Sequence, residues 1–100
     1  MIKHVILWQL KDELSSEDKK KVAQDIKKSL EALVGKVPGL TEVTVNIHPL
    51  ATSNADVMLD STVESEEALK NYQNHPDHVA AADTYVRPYI KNRVCMDYEI

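Results

Sequence analysis

The order of hydrophobic patterns is the feature that most constrains the fold of this 100-residue chain. Alternation at every second residue predicts strands in 2–11, 40–48, 55–62 and 92–100, and a period near 3.6 predicts helices in 15–35, 66–74 and 76–90. The order is therefore βαββαβ, with the second helix broken at Pro76. Right-handed crossovers fold this order into an α+β, ferredoxin-like domain with a four-stranded antiparallel sheet. We expect one domain over residues 1–100.

The first predicted strand carries apolar residues on both of its faces. His4, Ile6 and Trp8 share one face, which should lie against the helices, while Val5 and Leu7 share the other. A strand with this pattern is covered on both sides. The second sheet of an identical subunit is the simplest cover for the outer face, so we expect a homodimer formed through the sheet faces.

Two of the predicted helices carry recognisable ends. Ser15 three residues before Asp18 resembles a capping box, and Gly35 is a typical stop signal for the first helix. Pro76 is suited to the first position of the last helix, which predicts Asn74 or His75 as its cap. The buried stripe of the first helix is predicted to include Val22, Ile26, Leu30, Leu33 and Val34.

Charge and cysteine content exclude several functional classes. A net charge of −4 argues against nucleic acid or an anionic membrane as the partner. No apolar run approaches the length of a membrane span, and we expect a cytoplasmic protein. The single Cys95 cannot form an internal disulfide and is interpreted as an inert, half-buried thiol. The absence of a glycine-rich loop or P-loop argues against nucleotide chemistry.

The segment 71–88 concentrates the residues that could carry chemistry. Tyr72, His75 and His78 lie within seven residues, and His78 falls on the first turn of the helix that Pro76 begins. The helix dipole there lowers the pKa of His78 and favours the neutral imidazole, a possible general base. His75 and His78 lack a third fixed ligand, so we expect no metal and no cofactor.

Alternatives stay open for each of these residues. His4 is a buried imidazole held by one hydrogen bond, an acid–base group in a pocket, or a metal ligand. Tyr72 is either a core tyrosine or a hydroxyl donor to a carbonyl or enolate oxygen. Arg87, before Pro88, is either a surface residue at a helix end or part of a dimer contact.

Three segments together resemble the stress-responsive α/β-barrel (Dabb) family. They are "MIKHVILWQLKDE" at the start, "HPDHV" in the middle and "YVRPYIKNRVCMDYE" near the end. The resemblance implies ferredoxin-like dimers whose sheets pack face to face into a barrel. The family includes a plant polyketide cyclase, and His4, Tyr72 and His78 are similar to its pocket residues. Where that cyclase has a further tyrosine and histidine, this chain has Ile26 and Val57, which implies a more apolar pocket.

The predicted function is binding of a small apolar or carbonyl-bearing ligand, rather than a sugar or phosphate, in a pocket lined by His4, Tyr72 and His78. One alternative is a cofactor-free enzyme. It would either abstract a proton for aldol cyclisation, with His78 as base and Tyr72 holding the oxygen, or act as a monooxygenase or isomerase. A second alternative is a structural stress protein that acts through oligomeric assembly.

Overall fold

The computed structural model describes residues 1–100 and has the predicted βαββαβ order. The last helical segment comprises an α-helix, one π-helical turn and one 3₁₀ turn. In chain order the elements are β1 (Ile2–Leu10), α1 (Ser16–Glu31), β2 (Leu40–Asn46), β3 (Val57–Val63), α2 (Glu66–Asn74), α3 (Pro76–Ala81), the π turn (Ala82–Val86), the 3₁₀ turn (Arg87–Tyr89) and β4 (Ile90–Glu99). None of the helices combines the length and hydrophobicity that crossing a membrane requires.

Side-chain caps explain where the three α-helices begin. Ser15 and Ser65 each accept a hydrogen bond from the backbone N–H three residues further on. Nδ1 of His75 accepts one from the backbone N–H of Asp77, at 3.1 Å, so His75 rather than Asn74 is the cap. Pro76 then occupies the first helical position, where its missing N–H has no consequence. The chain is therefore forced to turn between α2 and α3 at His75.

The four strands form one antiparallel sheet in the order β2-β3-β1-β4. β1 is central, so its residues 2–8 each have a neighbour on both sides. His4 lies opposite Ser61 on β3 and opposite Asp97 on β4. The Ser61 hydroxyl donates to the backbone carbonyl of His4 at 2.7 Å. This register brings the first and last strands of the chain side by side.

The hydrophobic core lies between the helices and one face of the sheet. We call this the helix-covered face; from β1 and β3 it includes His4, Ile6, Trp8 and Leu59, all at most 4% exposed. The opposite, open sheet face carries apolar side chains that the chain leaves uncovered. They include Leu7 (39% exposed), Val94 (64%), Met96 (65%) and Tyr98 (41%).

Two parts of the helical prediction are wrong in detail. α1 ends at Glu31, and the following turn leaves Val34 exposed instead of in the buried stripe. The last helix is not regular either, because the π turn adds a residue at Ala82–Val86 before the chain enters β4. π-helical turns interrupt α-helices in short pieces, often at functional sites. Here Ala82 and Val86 are buried and face the cavity described below.

Candidate functional site

A cavity of about 90 Å³ lies between the helix-covered face and the helical segment that follows α2. Seven of its twelve lining residues are hydrophobic. The others are the two predicted histidines, one glutamine and two arginines. The complete lining comprises His4, Ile6, Trp8, Leu30, Leu59, Gln73, His78, Ala82, Val86, Arg87, Ile90 and Arg93.

His4 reaches this cavity from the centre of the sheet and is 1% exposed. Its Nδ1 forms a hydrogen bond with the carboxylate of Asp97, across the β1–β4 pair. A carboxylate can only accept, so Nδ1 carries a proton. Asp97 therefore fixes the orientation of the His4 ring.

His78 is held in a similar way. Its Nδ1 lies 3.2 Å from the backbone carbonyl of Gln73 and donates to it, which leaves Nε2 as an acceptor. Burial lowers the pKa of His78 below its usual value, and the positive charges of Arg87 and Arg93 act in the same direction, whereas the hydrogen bond to the Gln73 carbonyl acts in the opposite direction. Burial is thus the main cause of the lowered pKa, which favours the neutral imidazole.

Tyr72 lies behind the two imidazoles and is completely buried. Its ring centroid is 6.1 Å from that of His4 and 4.5 Å from that of His78. Tyr72 is not among the residues that line the cavity. Burial raises the pKa of Tyr72 to about 12, so the phenol stays protonated, and its hydroxyl has no hydrogen-bond partner.

The structure thus brings all three predicted residues together but gives them unequal positions. His4 and His78 line one cavity, whereas Tyr72 contacts both rings from within the core. Sequence reasoning missed Asp97. The alternation of β4 could have placed Asp97 on the same face as His4, but only the strand register shows that the two residues are opposite each other.

One group of side chains has the composition of a metal site. His4 Nδ1, Cys95 Sγ and a carboxylate oxygen of Asp97 all lie within 4.8 Å of one another. Cys95 is exposed, not half-buried as expected. Desolvation of its thiol, helped by the Asp97 carboxylate, raises the pKa of Cys95 and disfavours the thiolate that binds metals. A metal there would also have to displace the proton between His4 and Asp97.

The two positions expected to make the pocket apolar lie in the core. Ile26 on α1 and Val57 on β3 are 0% and 1% exposed. Neither lines the cavity. These two residues therefore belong to the core and do not set the polarity of the cavity lining.

Comparison with known proteins supports a family assignment. The model of a family described as the stress responsive A/B barrel domain matches residues 2–100. No curated protein matches the chain.

Solved structures with this fold cover nearly the whole chain. A dimeric protein of unknown function and ferredoxin-like fold from Bacteroides fragilis is 29% identical, with a TM-score of 0.92 over 99% of this chain and 95% of the other. A Dabb family protein from Mesorhizobium loti is 23% identical, with a TM-score of 0.75 over 99% and 95%. A hydroxynitrile lyase from Passiflora edulis is 18% identical, with a TM-score of 0.78 over 99% and 92%. The predicted ferredoxin-like fold is thus confirmed.

Proposed function

This chain belongs to the stress responsive A/B barrel domain family, and we propose that it binds a small carbonyl-bearing ligand in the cavity between His4 and His78. One observation carries the proposal. Two imidazoles, each anchored through Nδ1, line a largely apolar cavity, and neither Nε2 has a hydrogen-bond partner within the chain. Basic nitrogens in a largely apolar enclosure suit a ligand with an acidic C–H or O–H group.

The size of the cavity restricts the ligand. Sites for drug-sized molecules enclose about 300–1,000 Å³, and an engineered cavity of about 150 Å³ binds benzene. A volume of about 90 Å³ favours a compact molecule over a polyketide chain. The proposed ligand is therefore a short carbonyl compound.

The same arrangement supports proton abstraction next to the carbonyl as the chemistry, should the site be catalytic. Nε2 of His78 takes the proton from the carbon, and the electron pair moves to the carbonyl oxygen to form an enolate. Return of that proton to carbon or oxygen regenerates the neutral imidazole. His4, oriented by Asp97, lines the same cavity. Tyr72 lies behind both rings and outside the cavity lining, and its raised pKa keeps it protonated. The fold neighbour from Passiflora is named as an enzyme, which is consistent with chemistry on this fold.

Pyruvamide, a short neutral carbonyl compound, tests this proposal. We expect it to shift the indole N–H resonance of the single tryptophan, which lines the cavity, and to exchange its methyl protons with deuterated solvent. His78→Gln should lower the exchange rate about a hundredfold or more, since general-base catalysis contributes roughly 10²–10⁴-fold. The exposed His48→Gln serves as the control and should leave the rate unchanged. If pyruvamide binds but its methyl protons do not exchange, the function is restricted to binding. If the indole resonance does not shift, the proposal is contradicted.

The proposed functional unit is a homodimer in which the open sheet faces of two subunits meet. The Bacteroides neighbour is described as dimeric. On this chain the open face carries Leu7, Val94 and Met96 in one exposed apolar area, which a partner sheet would remove from water. The cytoplasmic location and the lack of a cofactor stay predictions, as do the monooxygenase, isomerase and assembly alternatives.

A further inference from the structure

Two side chains that carry hydrogen-bond donors line one end of the cavity. Trp8 and Arg93 are direct partners across the β1–β4 pair, and both line the cavity. Trp8 is 4% exposed, yet its Nε1–H has no partner. A buried donor without an acceptor is unfavourable by about 1–3 kcal/mol, and such groups call for a ligand or water.

Arg93 is also free of any acidic partner. The ion pairs of the structure include Arg87 with Asp83 and Lys91 with Asp12, but none involves Arg93. The side chain points to the helix-covered side, because its strand partner Trp8 does so. Its charge reaches the cavity, as the lowered pKa of His78 indicates.

The carboxylates on the same side of β4 are Asp97 and Glu99, and neither lines the cavity. Asp97 is hydrogen-bonded to His4. It lies four positions along the strand from Arg93, which corresponds to about 13 Å at roughly 3.3 Å per residue, and Glu99 lies farther along. An anion at Arg93 therefore meets little repulsion from these two carboxylates.

We propose that the ligand of this cavity is a short oxo acid whose carboxylate is held by Arg93 and the Nε1–H of Trp8. This inference rests on the proposed function and adds the charge of the ligand. The planar guanidinium and the single indole donor match a carboxylate, with its two oxygens in one plane. The apolar walls contributed by Ile6, Leu59 and Val86 accommodate the short carbon chain. The carbonyl end then lies toward the imidazoles.

Inorganic phosphate is the competing anion of similar size. Its oxygens point in all directions and need donors on every side, whereas seven of the twelve lining residues are hydrophobic. The observations thus favour an anion with one polar end and one apolar end.

The experiment compares pyruvate with pyruvamide, which has the same shape without the charge. Binding is followed by titration calorimetry and by the indole N–H resonance of Trp8, the only tryptophan of the chain. We expect pyruvate to bind at least about tenfold more tightly than pyruvamide and than phosphate, the factor for one hydrogen bond to a charged group. Arg93→Gln should remove this preference while leaving pyruvamide binding unchanged.

Lys91→Gln is the matched control. It removes the same charge from the same strand, but Lys91 pairs with Asp12 and does not line the cavity. It should leave the preference for pyruvate intact. Equal binding of pyruvate and pyruvamide would overturn the assignment of charge while leaving the proposed function standing. The assignment would also be overturned if Arg93→Gln and Lys91→Gln lost the preference for pyruvate equally, or if phosphate bound as tightly as pyruvate. If neither probe binds, both proposals fail.

Discussion

The two faces of the sheet differ although the same strands build them. On β1, Ile6 is 4% exposed and its neighbour Leu7 is 39% exposed. On the helix-covered face, apolar side chains fill a continuous core, and His4 lines the cavity. On the open face, apolar side chains lie beside an ion pair between Lys3 and Asp60. One face thus builds the fold and the site, and the other is suited to a partner.

Leu7→Lys tests the open face and should have the largest effect. In a dimer joined through these faces, the lysine ammonium would be buried without a partner, which costs several kcal/mol. We expect the dissociation constant of the dimer to rise by more than about a hundredfold. Sedimentation over a range of concentrations measures this effect. Leu50→Lys, in a loop at 77% exposure, makes the same change elsewhere and should leave the dimer intact. An intact Leu7→Lys dimer would rule out this interface.

Leu59→Ala tests the helix-covered face. Leu59 is 1% exposed and lies opposite Ile6 on β1. Truncation should lower the free energy of unfolding by about 2–5 kcal/mol, as is usual for a large-to-small change in a core. Met58→Ala, one residue earlier and on the opposite face, should cost less than about 1 kcal/mol at concentrations where the subunit is monomeric. Denaturant unfolding of both variants gives the comparison, and equal losses would contradict the division between the faces.

Gly39→Ala tests how closely the helices fit this sheet. Gly39 has a φ of +82°, and an added Cβ would lie 2.7 Å from the Cβ of Ala68 on α2. Gly35 has a similar φ of +88° but open space around it. Gly35→Ala should lower the free energy of unfolding by about 1–2 kcal/mol because of its backbone conformation alone. Gly39→Ala should lower it by about 1 kcal/mol more, because α2 must shift. Thermal unfolding showing no difference between the variants would mean that α2 adapts freely.

The smallest expected effect is a pH dependence of the unfolding free energy that arises from His78, beside the helix-covered face. The pKa of His78 in the folded chain lies below the usual value of 6.5, so the unfolded chain binds the additional proton more readily. The contribution of neutral His78 to stability is therefore present above pH 6.5 and is lost as pH falls through the lowered pKa.

The His78→Gln variant should show a flatter dependence of the unfolding free energy on pH in that range. His48→Gln, at an exposed position of the loop after β2, should keep the slope of the unsubstituted chain. If His78→Gln keeps the pH dependence of the unfolding free energy, that dependence arises from another group.

Local patterns predicted most of the fold. Alternation on β1 correctly placed His4 and Trp8 toward the helices, and Pro76 correctly marked the break after α2. Val34 was misplaced because periodicity alone continues past the residue where α1 stops making its hydrogen bonds. The π turn could not be predicted, since it depends on how the chain packs on its way into β4.

The site was less predictable than the fold. The close approach of Tyr72, His4 and His78 was anticipated, because each lies on a recognisable apolar face. The pairing of Asp97 with His4, and of Arg93 with Trp8, depends on the register between the first and last strands. A single sequence contains no signal for that register, because alternation leaves the pairing free to shift by two residues.

The hydrogen bond between His4 and Asp97 has a consequence for the order of folding. It joins residues 93 positions apart, which is nearly the full sequence separation available in the chain. Contacts of such range carry the greatest loop-closure entropy and form late in folding. The earlier elements can collapse first, but the cavity is complete only when β4 has docked beside β1. A ligand held there binds only the fully assembled chain, and by mass action it stabilises the whole domain rather than one part of it.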